Sequence, residues 1–530
     1  MATAYRLAAV IKAAAGDDFL VVRQAPPPSL PEEEYRSYVD TDLWDLPSAP
    51  LKPLEGGIRS EFFVQGSESC LDKLDLGKFD LDSALREVIS LAGLATAISK
   101  DWMFWKYLEE AEFGPKPLIH TLFILGRMES HVDVLEESCM LMSKENALKL
   151  LLEVRPGNDR VGPLVVFGLL PDSAELRKWN PPSTLHYQEY PPGIILAPMA
   201  SRTLKPFRTT NLVVIVSNNS VDGIEDSSNI FYGDALLMDP GCSSQSHTKL
   251  KELVTSLPRK LVVFVTHHHH DHIDGLSVVQ QYNPDAILLA HKNTMARIGK
   301  AVWSLGYSLI SGGERIQIGD QQLEVISAPG HTDGHLALLH ISTNSLVVGD
   351  HCVGQGSTIL DARAGGNMQD YFQTTYNFLK LSPNVVIPMH GRLNLWPKRM
   401  LCGYLKHRRD RELSILKAIE GGANSMSDII AKSYPGLDQK LWIPASCNVK
   451  LHIDHLALQE KLPKDFSMQK FRASSIFQFA PKLISLYVRN LKLSPFKLLA
   501  AASAVAAGGI AIAVITNMPT VKLMLGSKSQ

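Results

Sequence analysis

Residues 261–275, LVVFVTHHHHDHIDG, hold five apolar residues in succession, then five histidines and two aspartates within the next ten positions. An uninterrupted Val/Phe-rich run predicts a strand buried on both faces, ending where the polar chain begins. Side chains alternate along extended chain, so His267 and His269 face one side, while Asp271 and His272 fall in a tighter turn. Two pairs of candidate ligands therefore sit at one strand end. Strand-like runs at 212–217, 235–239, 286–290 and 346–349 alternate with helical periodicity, clearest at 368–381, and predict a layered α+β domain over 191–400. The glycines and polar residues of 354–367 predict a loop over those strand ends, placed to choose a substrate.

The flanks follow other patterns. Runs 5–11 and 18–24 predict two strands around the Gly16-Asp17 turn, so the chain opens on folded sequence, and 84–94 has helical spacing. Beyond residue 400, helical patterns at 407–419, 426–434 and 448–462 predict a small helical domain over 401–465. A basic linker, 466–497, then interleaves Lys470, Arg472, Lys482, Arg489, Lys492 and Lys497 with Phe, Leu and Tyr, as suits an anionic lipid surface. Residues 498–516 carry no charge, and a helix of ~20 such residues spans a bilayer. This predicts a C-terminal membrane anchor with the body on the cytosolic side, on a mitochondrial or plastid envelope.

A length of 530 residues exceeds one core. The net charge of -1 conceals an asymmetry: eight of the 53 basic residues and none of the 54 acidic ones lie in 466–530. The six cysteines have no close pairs, which excludes a disulfide framework and a thiolate zinc site. His452, His455 and His291 are read as helix-face or packing residues.

The central pattern resembles the metallo-β-lactamase superfamily, whose His-x-His-x-Asp-His motif is similar to His267, His269, Asp271 and His272. APGHTDGH at 328–335 resembles its second histidine motif through His331, VVGDH at 347–351 the motif of its bridging aspartate through Asp350, and IPMHG at 387–391 supplies His390. ALLMDPG at 235–241 resembles the first motif, whose aspartate, here Asp239, supports without ligating. The resemblance implies an αββα sandwich with two Zn2+ or other divalent ions. His267, His269 and His331 would hold one, Asp271, His272 and His390 the other, and Asp350 both, with Asp271 also catalytic.

Residues 1–190 resemble a Nudix fold in YRLAAVI, FLVVRQ, LWDLPSAPL and the helix ALREVISLAGL. Arg86-Glu87 match the Nudix box, but Ser90 and Leu91 stand where two magnesium-binding glutamates belong, and Asp72 and Lys78 fall on its Gly and Glu. Without those carboxylates a hard cation has no site, so a catalytically silent domain is expected. The central domain followed by a His-Arg-rich helix and a winged-helix-like domain resembles the β-lactamase-like protein 2 family, which implies a hydrolase acting as an endoribonuclease on single-stranded RNA. Two alternatives stay open: glyoxalase II-like thioester hydrolysis, and iron-dependent persulfide dioxygenation, for which the full ligand set is larger than needed.

Overall fold

A computed structural model describes residues 3–54, 63–65, 75–93, 101–115, 117–129, 136–152, 159–164, 179–217, 230–438 and 441–473. Its backbone contacts divide the chain into two compact units, Met1–Asp410 and Arg411–Gln530.

The first unit begins with a nine-stranded sheet of β1 (Thr3–Lys12), β2 (Phe19–Gln24), β3 (Leu43–Asp45), β4 (Ser48–Leu51), β5 (Phe63–Gln65), β6 (Asp101–Leu108), β7 (Leu118–Arg127), β8 (Cys139–Met142) and β9 (Arg160–Val161). The central β1 runs parallel to β7 along its whole length, pairs antiparallel with β4, and meets β2 at Lys12↔Phe19, which is the hairpin expected around Gly16-Asp17. Its alternation divides two cores. Leu7, Ala9 and Ile11 pack with Leu81, Ala84, Leu85 and Val88 of the helix Leu81–Leu91. Ala8 and Val10 face the other way, into a cluster that continues through the remaining sheets. On that helix Arg86, Glu87, Ser90 and Leu91 are exposed.

Two further sheets follow. One orders β10 (Gln188–Glu189), β11 (Ile195–Ala200), β12 (Thr209–Val216), β14 (Ala235–Met238), β15 (Leu261–Phe264), β16 (Ile287–Ala290) and β17 (Tyr307–Leu309). The other orders β13 (Ile230–Gly233), β18 (Arg315–Ile318), β19 (Gln321–Ser327), β20 (Leu336–His340), β21 (Ser345–Val347) and β22 (Val385–Ile387). Leu236, Met238, Val262 and Phe264 share a cluster with Ile316, Leu323, Val325, Leu338, Val347 and Ile387 of the other sheet. Their neighbours Leu237, Val263 and Leu288 instead meet Leu250, Leu253, Leu276, Val279 and Ile298 of the helices His247–Ser256, Leu276–Tyr282 and Lys292–Ile298. With both faces covered, polar residues have no place in β14 and β15. Each such side chain contributes about 1.5–3 kcal/mol by burial, and Phe264→Ala would cost about 3–5 kcal/mol. Strands β14 to β17 run parallel, as do β21 and β22, so successive carboxyl ends gather at one edge.

The helix Pro397–Glu420 leads into the second unit, starting well before the 407–419 pattern because Asp40 accepts from the Lys398 and Arg399 amides and caps it. Within that unit Ile415, Ile419, Ile429, Ile430, Val449, Ile453, Leu456 and Phe471 form one cluster of this helix end, Met426–Ser433, Trp442–Leu458 and the segment after it.

The expectation of a membrane-anchored chain is corrected. Among the described residues no helix is long and apolar enough to cross a membrane, and 498–516, on which the expectation rested, lies outside them. A run of Ala and Gly at spanning length satisfies the length rule without establishing a spanning helix.

Candidate metal centre

The ligand residues follow strand ends. Asp239 succeeds β14, His267 to His272 succeed β15, His331 lies between β19 and β20, Asp350 follows β21, and His390 follows β22. Ligand atoms of His267, His269, His331 and Asp350 converge within 4.8 Å of one another, and so do those of Asp271, His272 and His390. All seven residues expected as ligands are thus brought together in two adjoining groups. A further set within the same limit, His268, His269 and Asp361, was not foreseen.

In the first group His267 Nε2 is 2.9 Å from His269 Nδ1, and His331 Nε2 is 3.2 and 3.1 Å from those two atoms. Three nitrogens on one tetrahedral ion would lie ~3.3 Å apart. In the second, Asp271 Oδ2 is 3.3 Å from His390 Nε2. Asp350 Oδ1 lies 3.4 Å from the Nε2 atoms of both His272 and His390, and so joins the groups.

Each ring is aimed from behind. His267 Nδ1 faces Thr266 Oγ1 at 3.0 Å, and that hydroxyl donates to Asp239 Oδ2 at 2.6 Å. His272 Nδ1 donates to the same carboxylate oxygen at 2.8 Å, while Asp239 Oδ1 accepts the Thr266 amide. His331 Nδ1 donates to the Ile359 carbonyl at 2.6 Å, His390 Nδ1 to the Thr209 carbonyl at 2.9 Å, and His269 Nε2 to Asp361 Oδ2 at 3.1 Å. An acceptor behind a ring puts its proton there and leaves the other nitrogen's lone pair toward the shared space, which is the arrangement of a metal-ligating histidine. Asp239 is placed as a support, reached by two neighbours and facing no group.

The backbone is fitted with equal closeness. A Cβ on Gly241 would lie 1.7 Å from the Asp271 carbonyl oxygen, and one on Gly349, at φ 56°, would lie 2.4 Å from His335 Nε2, which accepts the Asp350 amide. Strand β12 starts at Thr209, earlier than its apolar run, because its polar side chains hold ligand loops. The Thr210 hydroxyl donates to the Asp271 carbonyl, and Asn211 Nδ2 donates to the carbonyls of Pro388 and Gly391 around His390. Buried polar groups in a strand need such partners.

Electrostatics separate the two groups. Burial pushes His267 well below the usual imidazole range and His331 down to about 3, so both are neutral donors. Burial also disfavours charge on His272 and His390, but Asp350 foremost outweighs it, raising His272 well above the usual range and His390 to about 9. Asp350 and Asp271, whose burial opposes ionisation, are held below the usual carboxylate range, chiefly by His390 and His272 respectively. Positive charge is therefore favoured where the second ion would sit. Asp350 Oδ1 and His272 Nε2 are buried and make no hydrogen bond within the chain. Imidazole and carboxylate donors with those orphaned atoms fit divalent cations.

Thr266, Thr210, Asn211, His335 and Asp361 were missed in the sequence. Thr266 and His335 stood inside the quoted motifs 261–275 and 328–335 and Asp361 in the polar loop 354–367, whereas Thr210 and Asn211 had no signal.

Residues 228–390 match the family model described as the Metallo-beta-lactamase superfamily. The chain is 24% identical over 194 residues to the lactamase-like protein adaB of Aspergillus niger, a match covering 34% of this chain and 57% of that one. It is 23% identical over 208 residues to a Beta-lactamase-like protein 2 homolog of Drosophila melanogaster, covering 38% and 69%. It is 26% identical over 231 residues to a hydroxyacylglutathione hydrolase of Yersinia enterocolitica, covering 43% and 81%. The chain thus spans little more than half the length of the Aspergillus relative. It carries a metallo-β-lactamase superfamily domain, the fold of hydrolases such as hydroxyacylglutathione hydrolase. The family model's match, 228–390, lies outside the expected Nudix-like 1–190 and winged-helix-like 401–465.

Proposed function

We propose that the chain is a metal-dependent hydrolase holding two divalent ions, zinc foremost, and that it cleaves phosphodiester bonds in single-stranded RNA. The observation that carries the two-ion part is Asp350 Oδ1, buried, without a hydrogen bond, and equally distant from His272 and His390 beside the first group. When bound, such ions supply a water deprotonated near neutral pH and a Lewis acid toward developing negative charge. His267, His269 and His331 would hold one, Asp271, His272 and His390 the other, with Asp350 shared. Asp271 remains ionised, and its carboxylate beside His390 would orient the attacking water or take its proton.

Support for an anionic substrate comes from the loop joining β11 to β12, which closes through the Ser201 amide on the Arg208 carbonyl. It exposes Lys205 and Arg208, pairs Arg202 with Asp274 at 2.5 Å, contains no acidic residue of its own, and brings Thr203 Oγ1 to 3.4 Å from His390 Nε2. A second reading, hydrolysis of a glutathione thioester, is favoured by the coverage of the Yersinia enzyme's length. The N-terminal region is read as a silent Nudix-like brace and the helical unit as winged-helix-like, with RNA as partner.

The test is turnover of single-stranded RNA beside a hydroxyacylglutathione by purified zinc-loaded chain, with Asp271→Ala as control. RNA cleavage that disappears in the variant supports the first reading. Turnover of the thioester alone replaces it with the second, and turnover of neither by a two-ion protein removes both.

A further inference from the structure

Residues 358–361 touch three of the four residues in the first group, reaching the rings of His269 and His331 from behind and Asp350 through its backbone carbonyl. The Thr358 hydroxyl donates to the Asp350 carbonyl at 2.6 Å, and the Ile359 carbonyl accepts from His331 Nδ1. The Asp361 amide donates to the His331 carbonyl at 2.8 Å, while its carboxylate accepts from His269 Nε2. The segment is held in turn by its own chain. Asp361 Oδ1 accepts the Arg363 amide, the Asp361 carbonyl accepts the Ala364 and Gly366 amides, and Arg408 donates to the Thr358 carbonyl at 2.6 Å. Space is equally committed, since a Cβ on Gly366 would lie 2.4 Å from the His331 carbonyl oxygen.

Asp361 is the sole side chain in this segment that reaches a ligand ring. Thr266 and His272 are backed by Asp239 and His390 by the Thr209 carbonyl of β12, whereas His331 and His269 both rely on the loop, His331 on a backbone carbonyl and His269 on a side-chain carboxylate. His269 is also the most exposed histidine of the two groups, with 29% of its side chain accessible. An imidazole without a partner on Nε2 can flip or carry its proton on Nδ1, the nitrogen that faces His267 and His331.

From this geometry we infer that Asp361 is a positioning residue of the first ion group: by accepting from His269 Nε2–H it makes Nδ1 the ligand, and so couples the order of loop 354–367 to ion affinity. Ile359 lies in the same segment with an exposed side chain, so what presses on it reaches His331 through its own carbonyl. The inference rests on the reading that His267, His269, His331 and Asp350 hold an ion.

The stepwise zinc affinities of the full-length parent, Asp361→Ala and Asp361→Asn, measured against a chromophoric chelator, test it, together with the visible spectra of their cobalt-substituted forms and the melting of the metal-free chains. In Asp361→Ala one of two affinities should fall ~10- to 100-fold with the other within about threefold, and the cobalt spectrum should shift. Asp361→Asn keeps an acceptor oxygen and should recover most of the loss. Unchanged affinities and spectrum in the alanine variant overturn the inference alone. So does an equal loss at both steps with lower metal-free melting, which marks a merely structural role. Loss of a third, weaker ion with the two tight ones intact also overturns it, making Asp361 a ligand with His268. A parent that binds no ion removes the reading of the centre and this inference with it.

Discussion

Histidine and carboxylate meet in buried clusters in both units of this chain, and they are arranged oppositely. In the centre, five rings each give one nitrogen to an acceptor behind and turn the other toward a shared space with Asp271 and Asp350. In the second unit, His452 and His455 of the helix Trp442–Leu458 both direct Nδ1 at one carboxylate oxygen of Glu412. There the carboxylate is the endpoint of the rings. Among the described residues this second cluster is not one of the groups whose ligand atoms converge. Residue type and burial do not separate a reactive site from a structural one; the direction of the free lone pairs does.

The largest test of this contrast is catalytic. Asp271→Ala should lower hydrolysis of whichever substrate is turned over by on the order of 10²- to 10³-fold, with two ions still measured in the parent by elemental analysis. Glu412→Gln should leave both turnover and ion content at parental values. A variant at Asp271 retaining more than a tenth of the activity places the chemistry elsewhere.

Ion removal should separate the clusters next. A ligand present at 1,000 times its dissociation constant stabilises the folded chain by ~4 kcal/mol, so chelation should lower the melting temperature, and equally so in Glu412→Gln. Because His390 is raised to about 9 in the absence of an ion, ion uptake at pH 7 must displace its proton. Calorimetry in buffers of different ionisation enthalpy should show that release, and a heat independent of the buffer would refute it.

A third region carries charge without convergence. Arg160 is buried and donates to the carbonyls of Thr41, Asn384 and Leu395 beside the Trp396 ring. Arg160→Met leaves those carbonyls without their donor and should cost about 3 kcal/mol in denaturant unfolding, with the ion count unchanged. A loss below ~0.5 kcal/mol would mean that water replaces the guanidinium there.

The sequence made the converging side chains legible, because ligands at strand ends need a local pattern: apolar run, then His-x-His-x-Asp-His. It could not show what stands behind them. The carbonyls of Thr209 and Ile359 belong to every residue type alike, and Asp361 reaches His269 across 92 positions. The strands around the site were visible as uninterrupted apolar runs, except where Thr209, Thr210 and Asn211 trade apolar character for ligand-loop hydrogen bonds. The split of β1 between two clusters was hidden for a related reason: apolar residues on both faces do not say which neighbours cover them. The N-terminal helix Leu81–Leu91 was legible, and Ser90 and Leu91 lie exposed on it with Arg86 and Glu87.

The smallest expected effect belongs to the second cluster and concerns pH. Burial alone would raise the Glu412 carboxyl, but hydrogen bonds with His452 and His455 outweigh it and hold the group at about 2, below its unfolded value of ~4.3. A depressed carboxylate contributes stability that is complete above the unfolded value and disappears as pH falls through the folded one. The contribution should therefore be constant from pH 7 to about 5 and shrink between about 4 and 2. Acid also titrates carboxylates and imidazoles elsewhere in the chain, so the quantity to follow is the difference between parent and Glu412→Gln, in which those groups cancel. Hydrogen exchange confined to amides of Met426–Ser433 and Trp442–Leu458 reads the local unit. Protection in the parent should exceed that in the variant at pH 6, and the gap should narrow by pH 3. A gap that stays constant over that range would show that Glu412 acts through packing, and the opposition between an open and a closed histidine cluster would then rest on geometry alone.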